Sequence, residues 1–363
     1  MPVIVFTGGG TAGHVTPNFA LMDAFNKEGW DIHYIGSATG PEAEMTRTQP
    51  CRFHPVASGK LRRYFSWQNF VDPFKSLWGI FQAWRILGKV KADVMFSKGG
   101  FVAFPGVVAA WLRRIPVVAH ESDFSPGLAN RLSYPFARKI CLTFSGAKKY
   151  FNNPCRIEIT GTPIRQGLDD GIKGKGLDLC GFDNDKTTLM MMGGSQGAVV
   201  LNQTLRQALP DLLEEYQVIH VCGRGKVDPA FEGMKGYKQF EFVSEELPHL
   251  FAAADLIISR AGANTLYELL VLQKPHLLIP LSAKASRGDQ IENACYFAEQ
   301  GVSAVLEEEQ LSPGSLTDAI KELGQHQKQY LTQIKALDIH SATDTIVRII
   351  KEQLNDETPA YSR

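Results

Sequence analysis

A histidine follows a cluster of glycines close to the start of the chain. Residues 5–14 read VFTGGGTAGH, and the residues after His14 have the apolar spacing of a helix. A neutral imidazole accepts a proton near neutral pH, so a histidine that opens a helix can serve as a general base. A histidine that only hydrogen-bonds the loop is the alternative. His14 is therefore a candidate base that the rest of the chain must support.

The glycines fit the fingerprint of a phosphate-binding turn. Gly8, Gly10 and Gly13 match GxGxxG between a strand and a helix, where the backbone can approach an anion at the helix N-terminus. A site for NAD also requires an acidic residue at the end of the second strand, about 20 residues further on. That strand, DIHYIG, ends in a glycine followed by serine. A dehydrogenase is an alternative, and it predicts binding of NAD.

Two stretches of the second half predict a nucleotide diphosphate site. The stretch MMMGGSQGAVVLN (190–202) places Ser195 in a glycine turn, whose hydroxyl and amides suit phosphate oxygens. The stretch ADLIISRAGANTLYELL (254–270) places Glu268 in the expected first turn of a helix, where a carboxylate can accept hydrogen bonds from both ribose hydroxyls. A tight turn and a favourable helix dipole are the structural alternatives.

The sequence predicts a sugar-binding residue but no metal or cofactor. The stretch SRGDQIENA (286–294) places Gln290 after a strand, where its amide suits sugar hydroxyls. Asp183-Asn184-Asp185 has the DxD form with which some sugar transferases hold a divalent ion, but it precedes a strand. Glycine turns, helix N-termini and Arg165 can neutralise a pyrophosphate instead. We therefore expect a metal-independent reaction.

Alternating strands and helices position these residues. Apolar runs of strand length recur in both halves, which predicts βαβ units and parallel sheets. The pattern restarts after DDGIKGKGLD, and each half opens with a strand that enters a glycine turn. We predict an α/β protein with two Rossmann-like domains at 1–163 and 164–345, followed by a helix end and tail at 346–363. Its ligands are expected in the cleft between the domains, outside the carboxyl ends of the strands.

Charge and composition narrow the class of protein. The 363 residues carry 38 Lys and Arg against 38 Asp and Glu, a balance that argues against broad binding to nucleic acid. The six cysteines lack metal-ligand spacing, as in a reduced cytosolic protein. The first residues have no basic region typical of a signal peptide, and no apolar run of about 18 residues could span a bilayer.

One amphipathic stretch is richer in aromatic residues than a core helix requires. Within residues 58–87 we predict a helix with Asp72 as N-cap and Pro73 as its first residue. Its apolar residues, Phe74 and Trp78 among them, cover about half of the circumference. Three basic residues lie upstream: Lys60, Arg62 and Arg63. Such a patch suits an anionic membrane surface. Three apolar residues of this helix are expected to pack on the sheet instead: Leu77, Phe81 and Trp84.

Seven ordered motifs resemble those of the MurG family. They span residues 8–294 and read GGGTAGHVTPNFAL, SKGGFVAFPG, HESDFSPGLAN, GTPIR, GGSQGAVVLN, SRAGANTLYE and SRGDQIENA. That family transfers N-acetylglucosamine (GlcNAc) from UDP-GlcNAc to the C4 hydroxyl of N-acetylmuramic acid (MurNAc) in lipid I, which gives lipid II for peptidoglycan synthesis. The resemblance implies a GT-B fold, with two Rossmann-like domains and a cleft between them, and an inverting, metal-independent transferase.

The resemblance also implies roles for individual residues. His14 would be the base, helped by Glu121. The residues implied at the donor are Thr11, Ala12 and Gly13 in the glycine turn, Asp123 at the sugar, Arg165 and Ser195 at the diphosphate, Val243 at the uracil through its backbone, Ala263, Asn264, Thr265, Leu266 and Glu268 at the phosphate and ribose, and Gln290 at the GlcNAc hydroxyls.

Three positions depart from the common family pattern. Ala12 replaces a glycine, which costs little if its φ is negative. Asp123 stands where many relatives carry Asn, so an acceptor is kept but an amide donor is lost. Phe101 stands where relatives often carry Tyr, so no phenol can contact the acceptor there.

Two other functions share parts of this pattern. Another UDP-sugar enzyme of the GT-B fold, such as a UDP-GlcNAc 2-epimerase, would share the donor half, so the N-terminal motifs and the membrane patch distinguish it. A non-catalytic membrane scaffold would need neither His14 nor Glu268. The resemblance implies a peripheral protein on the cytoplasmic side of the cell membrane. Its implied partners are UDP-GlcNAc, lipid I, the membrane surface and other proteins of cell-wall synthesis.

Overall fold

The computed structural model describes residues 1–59, 68–194 and 198–355 of the chain, which divides into two compact units. The first unit comprises Met1–Arg165 and the C-terminal segment from Ser341, and the second comprises Gln166–His340. The chain passes between the units after Arg165 and again after His340, and the boundaries expected from sequence follow residues 163 and 345. The C-terminal segment, expected to follow the second domain, belongs to the first unit, which is therefore built from both ends of the chain.

Each unit is built on one parallel sheet. The first sheet has the order β3-β2-β1-β4-β5-β6-β7 and the second has the order β10-β9-β8-β11-β12-β13. Both orders reverse beside the first strand of the unit, as in Rossmann folds. The strands are β1 (Val3–Thr7), β2 (Asp31–Gly36), β3 (Arg52–Pro55), β4 (Val94–Ser97), β5 (Val117–Glu121), β6 (Lys139–Leu142), β7 (Ile157–Ile159), β8 (Thr187–Met192), β9 (Tyr216–Val221), β10 (Tyr237–Phe240), β11 (Leu256–Ser259), β12 (His276–Leu278) and β13 (Ala304–Val305).

Helices connect the strands and cover the sheets. They are α1 (Thr16–Lys27), α2 (Pro41–Met45), α3 (Gln68–Val90), α4 (Ala103–Leu112), α5 (Leu128–Ser133), α6 (Lys173–Cys180), α7 (Val199–Glu215), α8 (Leu247–Ala253), α9 (Ala263–Val271), α10 (Asp289–Ala298), α11 (Pro313–Gln325), α12 (Gln327–Ala336) and α13 (Thr343–Asn355). The central strands are mostly apolar because helices bury both faces of each sheet. Among the described residues, none of the helices has the length and apolarity needed to cross a bilayer.

The C-terminal helix α13 completes the core of the first unit. Ile346 and Ile350 are fully buried in one apolar cluster with Ile4, Phe6 and Leu21 from β1 and α1. The Ala342 N–H donates to the Thr162 carbonyl oxygen at 3.3 Å where the chain returns to this unit. The helix therefore covers the first sheet although it is distant in sequence.

Helix α3 differs from its prediction in two respects. It includes Gln68, so Pro73 lies inside the helix and is not its first residue. Its packed side uses small and aliphatic residues, with Ala83 and Leu87 fully buried. Because this side fills the interface, the aromatic side faces outward. The three side chains expected to pack on the sheet are instead exposed, by 63% at Leu77, 45% at Phe81 and 40% at Trp84.

Candidate active site

Two glycine-rich turns meet where the strand order of the first sheet reverses. One follows β1 and carries His14, and the other follows β4 and contains Gly99 and Gly100. The Gly9 N–H donates to the Gly99 carbonyl oxygen at 3.3 Å and joins the two turns. This edge, at the carboxyl ends of β1 and β4, is where open α/β sheets bind ligands.

His14 is half-buried and packs against the second turn. It ends a short 3-10 turn, Ala12–His14, just before α1. A Cβ added to Gly100 would lie 2.3 Å from the Gly9 carbonyl oxygen and 3.1 Å from His14 Cδ2, so only glycine permits this approach. Gly100 also has a φ of 84°. The ring of His14 is thus held at the switch point of the sheet by backbone.

The other predicted residues of this turn lie beside His14. Thr11 and Gly13 are exposed, and Ala12 is half-buried. Ala12 is not among the non-glycine residues with positive φ, so its methyl group fits the 3-10 turn without backbone strain. Phe101 covers the turn, since a Cβ on Gly10 would lie 2.5 Å from its Cε1. The Phe101 ring therefore packs against the turn at the position where relatives often carry the phenol ring of Tyr.

A buried carboxylate that sequence reasoning missed lies under the glycine turn. Glu42 of α2 is fully buried, and its Oε2 accepts a hydrogen bond from the Gly10 N–H at 3.1 Å. Its Oε1 accepts from the Ser37 N–H at 2.9 Å, at the position where an NAD site would place an acid. The protein itself thus supplies an anion to this turn. No local sequence signal distinguishes Glu42 from an ordinary acidic residue at a helix start.

Glu121 holds the segment that follows β5. The side chain is 1% exposed, and its Oε2 accepts hydrogen bonds from Asn130 Nδ2 at 2.9 Å and Tyr134 Oη at 2.6 Å. Its Oε1 accepts from the Asp123 N–H at 3.1 Å. Burial, with a smaller contribution from Asp123, raises the pKa of Glu121. Asn130 Oδ1 in turn accepts from the Gly100 N–H at 2.9 Å, so Glu121 connects to the His14 turn through Asn130.

In the second unit, α9 begins where β11 leads into a small-residue turn. Gly262 is the N-cap and Ala263 the first residue, so Asn264 and Thr265 lie in the first turn and are half-buried. Glu268 is the sixth residue of the helix and lies in its second turn, which corrects the expected first-turn position. Its side chain is 7% exposed. Leu266, the fourth residue of the helix, is also buried.

The neighbouring loops bring two further predicted residues to the same edge of this sheet. Val243, just beyond β10, has a buried side chain. Gln290 Oε1 accepts a hydrogen bond from the Leu281 N–H at 3.0 Å, which orients its amide group. Asn293, fully buried, donates to the Ala261 carbonyl oxygen at 3.2 Å and ties α10 to the end of β11.

The remaining predictions are distributed as follows. Arg165 is the last residue of the first unit before the chain enters the second. Ser195 lies outside the described residues, as do the basic residues Lys60, Arg62 and Arg63. In the part of the chain that the structure describes, no group of three or more His, Cys, Asp and Glu side chains could hold a metal ion.

Family models match most of the chain. The model of the glycosyltransferase family 28 N-terminal domain matches residues 4–142, and that of the glycosyltransferase family 28 C-terminal domain matches residues 188–349. The first match covers both glycine-rich turns and Glu121, and the second covers α9 and Gln290.

Curated relatives match this chain over nearly its full length. A curated relative from Legionella pneumophila strain Paris is 58% identical over 358 residues, or 99% of each chain. It is named UDP-N-acetylglucosamine–N-acetylmuramyl-(pentapeptide) pyrophosphoryl-undecaprenol N-acetylglucosamine transferase. A relative of the same name from Clostridium kluyveri is 50% identical, over 97% of this chain and 99% of its own.

Solved structures share the fold. Acinetobacter baumannii MurG superposes with a TM-score of 0.76 at 24% identity, over 97% of this chain and all of its own. A UDP-GlcNAc 2-epimerase from Neisseria meningitidis has a TM-score of 0.64 at 12% identity, over 98% of this chain and all of its own. Such likenesses establish the architecture alone, and they confirm the expected pair of Rossmann-like domains of the GT-B fold.

Proposed function

The chain belongs to glycosyltransferase family 28, and from that premise we propose that it transfers GlcNAc from UDP-GlcNAc to lipid I, which gives lipid II. Lipid I is the undecaprenyl-pyrophosphoryl MurNAc-pentapeptide. One observation carries this conclusion: the chain is 58% identical, over 99% of its length, to a transferase named for this reaction. The enzyme is thus a UDP-GlcNAc-dependent N-acetylglucosaminyltransferase.

The chemical step is a direct displacement with inversion. The C4 hydroxyl oxygen of MurNAc attacks C1 of the α-linked GlcNAc and forms a β-1,4 bond. The bond between C1 and the phosphate oxygen breaks, and UDP leaves with the electron pair. His14 takes the proton of the hydroxyl. A positioned base of this kind contributes typically about 10²–10⁴ in rate.

Glu121 acts in this proposal as a positioning residue. Both of its carboxylate oxygens already accept hydrogen bonds, and the side chain is buried. It therefore orients the turn that packs on His14, through Asn130, and it holds the backbone of Asp123. The carboxylate of Asp123, which is half-buried, supplies an acceptor for the donor sugar.

The nucleotide sugar is bound by the carboxyl edge of the second sheet. Val243 holds the uracil through its backbone, and Glu268 accepts hydrogen bonds from the ribose hydroxyls. The N-terminal end of α9, from Ala263 to Leu266, faces the α-phosphate, because the dipole at a helix N-terminus favours an anion. Gln290 contacts the GlcNAc hydroxyls through its amide nitrogen, because its oxygen accepts from the Leu281 N–H. In this proposal Arg165 and Ser195 neutralise the diphosphate, and Thr11, Ala12 and Gly13 of the glycine turn contact the donor.

We propose that the apolar face of α3 docks on the cytoplasmic membrane surface, where lipid I is embedded. Five neighbouring side chains are exposed: Phe74 by 72%, Leu77 by 63%, Trp78 by 56%, Phe81 by 45% and Trp84 by 40%. Helix α4 packs beside α3 and adds Leu112, which is 53% exposed. The Arg113 guanidinium lies 3.9 Å from the centre of the Trp84 ring. Aromatic side chains beside cations suit an interfacial, anionic surface. Lys60, Arg62 and Arg63 precede α3 in the sequence and belong to the proposed patch by charge.

The alternatives have less support. A UDP-GlcNAc 2-epimerase shares the architecture at 12% identity, whereas the family 28 N-terminal model matches the half that carries His14. A dehydrogenase would need a vacant glycine turn, but Glu42 occupies the Gly10 amide. A membrane scaffold would not require the buried contacts that fix the His14 turn.

Release of UDP from UDP-GlcNAc, with and without a short-chain lipid I analogue, tests the proposal. We expect acceptor-dependent release together with a β-1,4-linked disaccharide product. Release without acceptor would indicate a hydrolase or an epimerase. Bound UDP-GlcNAc without any release would favour a scaffold or a different acceptor.

A further inference from the structure

Lys98, the residue after β4, is buried at the centre of the first unit. It is 0% exposed, and its backbone N–H donates to the Thr7 carbonyl oxygen at 2.9 Å, beside the glycine turn. A Cβ on Gly8 would lie 3.1 Å from the Lys98 Cβ. A buried lysine is costly unless its nitrogen finds hydrogen-bond partners. Its position under two functional turns therefore requires a reason.

Three acceptors surround the Lys98 amino group. Its Nζ lies 2.8 Å from His120 Nδ1 and 3.3 Å from Thr162 Oγ1, and it also donates to Ser122 Oγ. His120 Nε2 lies 2.8 Å from the Gly161 carbonyl oxygen, which can only accept. Nε2 must therefore carry the imidazole proton, and Nδ1 must accept from Lys98. The three N–H groups of an ammonium match these three acceptors.

The charge of this amino group changes near neutral pH. Burial lowers the pKa of Lys98 to about 7, against the opposing effect of Glu121, Asp123 and Cys141. Burial and then the Lys98 charge hold the pKa of His120 well below its ordinary value, with a smaller effect from His14. His120 therefore stays neutral, while Lys98 gains or loses its third N–H.

The contacts of Lys98 join the parts of the acceptor side. His120 and Ser122 flank Glu121, and Lys98 itself leads into the turn that packs on His14. We propose that Lys98 is a positioning residue for the transfer reaction: its amino group fixes the segment after β5 relative to the His14 turn. This inference rests on the proposed function, because its effect is read in the rate of transfer.

Lys98→Met tests this role, since methionine has a similar length but no N–H donors. We expect the variant to fold but to be less stable, because methionine removes the cost of burying the amine while His120 Nδ1 loses its donor. Its kcat should fall at least about tenfold, the scale of one lost charge-assisted hydrogen bond, while the KM for UDP-GlcNAc stays within about twofold. The pH profile of kcat should lose the ionisation near pH 7 that Lys98 contributes. Lys139→Met is the matched control. Lys139 begins β6, and its amine forms an ion pair with Glu158 at 2.9 Å that is separate from the contacts of Lys98.

Two further variants test the inference even if Lys98→Met fails to fold. Ser122→Ala and Thr162→Val each remove one acceptor and leave the amine in place. Each should lower kcat severalfold at an unchanged KM for UDP-GlcNAc. Wild-type kcat and an unchanged pH profile in these variants and in Lys98→Met would overturn the inference, as would losses of kcat and KM that merely follow unfolding. An inactive wild-type enzyme would instead refute the proposed function.

Discussion

His14 is the residue whose role is most directly measurable. We predict that His14→Ala lowers kcat by about 10²–10⁴, the usual contribution of a general base. The affinity for UDP should change little, because the residues proposed to bind the uracil and the ribose lie in the second unit. Steady-state kinetics and a UDP titration separate the two effects. His340→Ala is the control, since the His340 side chain is 78% exposed and pairs only with the nearby Asp338 in the described contacts. Equal losses of turnover and UDP affinity would place His14 in donor binding.

Glu42 offers a second test at the scale of a single residue. In Glu42→Gln, the new NH₂ group must face the N–H of either Gly10 or Ser37, so one part-buried amide loses its acceptor. That loss costs about 1–3 kcal/mol and displaces the His14 turn. We expect lower stability to denaturant and a lower kcat. Glu44→Gln on the same short helix is the control, because Glu44 is exposed. If both variants behave alike, Glu42 does not hold the turn.

At this scale the sequence located some residues well and others not at all. The glycine turn and His14 follow from a local strand–turn–helix pattern. Glu42, Asn130 and Lys98 could not be found in this way, because their roles depend on contacts between segments that are distant in the chain. Glu268 was placed one turn too early because helix boundaries are weakly encoded in local sequence.

Helix α3 carries the prediction that belongs to the scale of elements. Phe74→Glu with Trp78→Glu places two charges in the centre of the exposed apolar face, where insertion into a membrane interface becomes unfavourable. We predict that this double variant no longer cosediments with vesicles that contain phosphatidylglycerol, and that it keeps its fold because neither side chain is buried.

The matched control for that experiment lies on another helix. Leu179 on α6 is 41% exposed, and Leu179→Glu should leave binding to vesicles unchanged. Vesicle binding of the α3 double variant at the wild-type level would rule out this face as the docking surface.

The strands and helices show which features of an element its sequence can reveal. The apolar, β-branched runs of the central strands were recognised, since parallel strands covered on both faces are apolar throughout. The edge strand β3, RFHP, lacks such a run and was missed. Leu77, Phe81 and Trp84 of α3 were wrongly expected to pack on the sheet. Amphipathic spacing gives the width of an apolar face but does not show what covers it.

At the scale of the whole molecule, both units place their candidate residues in the same way. In each unit the strand order reverses beside the first strand, and glycines follow that strand. A helix then follows the strand on the other side of the reversal: α4 follows β4, and α9 follows β11. The repeated pattern made two Rossmann-like domains predictable. The return of α13 to the first unit was not, because an amphipathic helix packs equally well on any apolar surface of suitable shape.

The position of α13 leads to a prediction about how stability is divided between the units. Ile346→Ala removes a fully buried side chain beside β1 and α1, which should cost the first unit about 2–5 kcal/mol. Native-state hydrogen exchange should therefore show lost protection in β1, α1 and α13, whereas β8 and α7 keep theirs. Arg348→Ala is the control on the same helix, because its side chain is 63% exposed. Equal loss of protection in both units would mean that α13 stabilises the whole chain, so that the half bearing His14 could not be weakened separately from the half that binds the nucleotide.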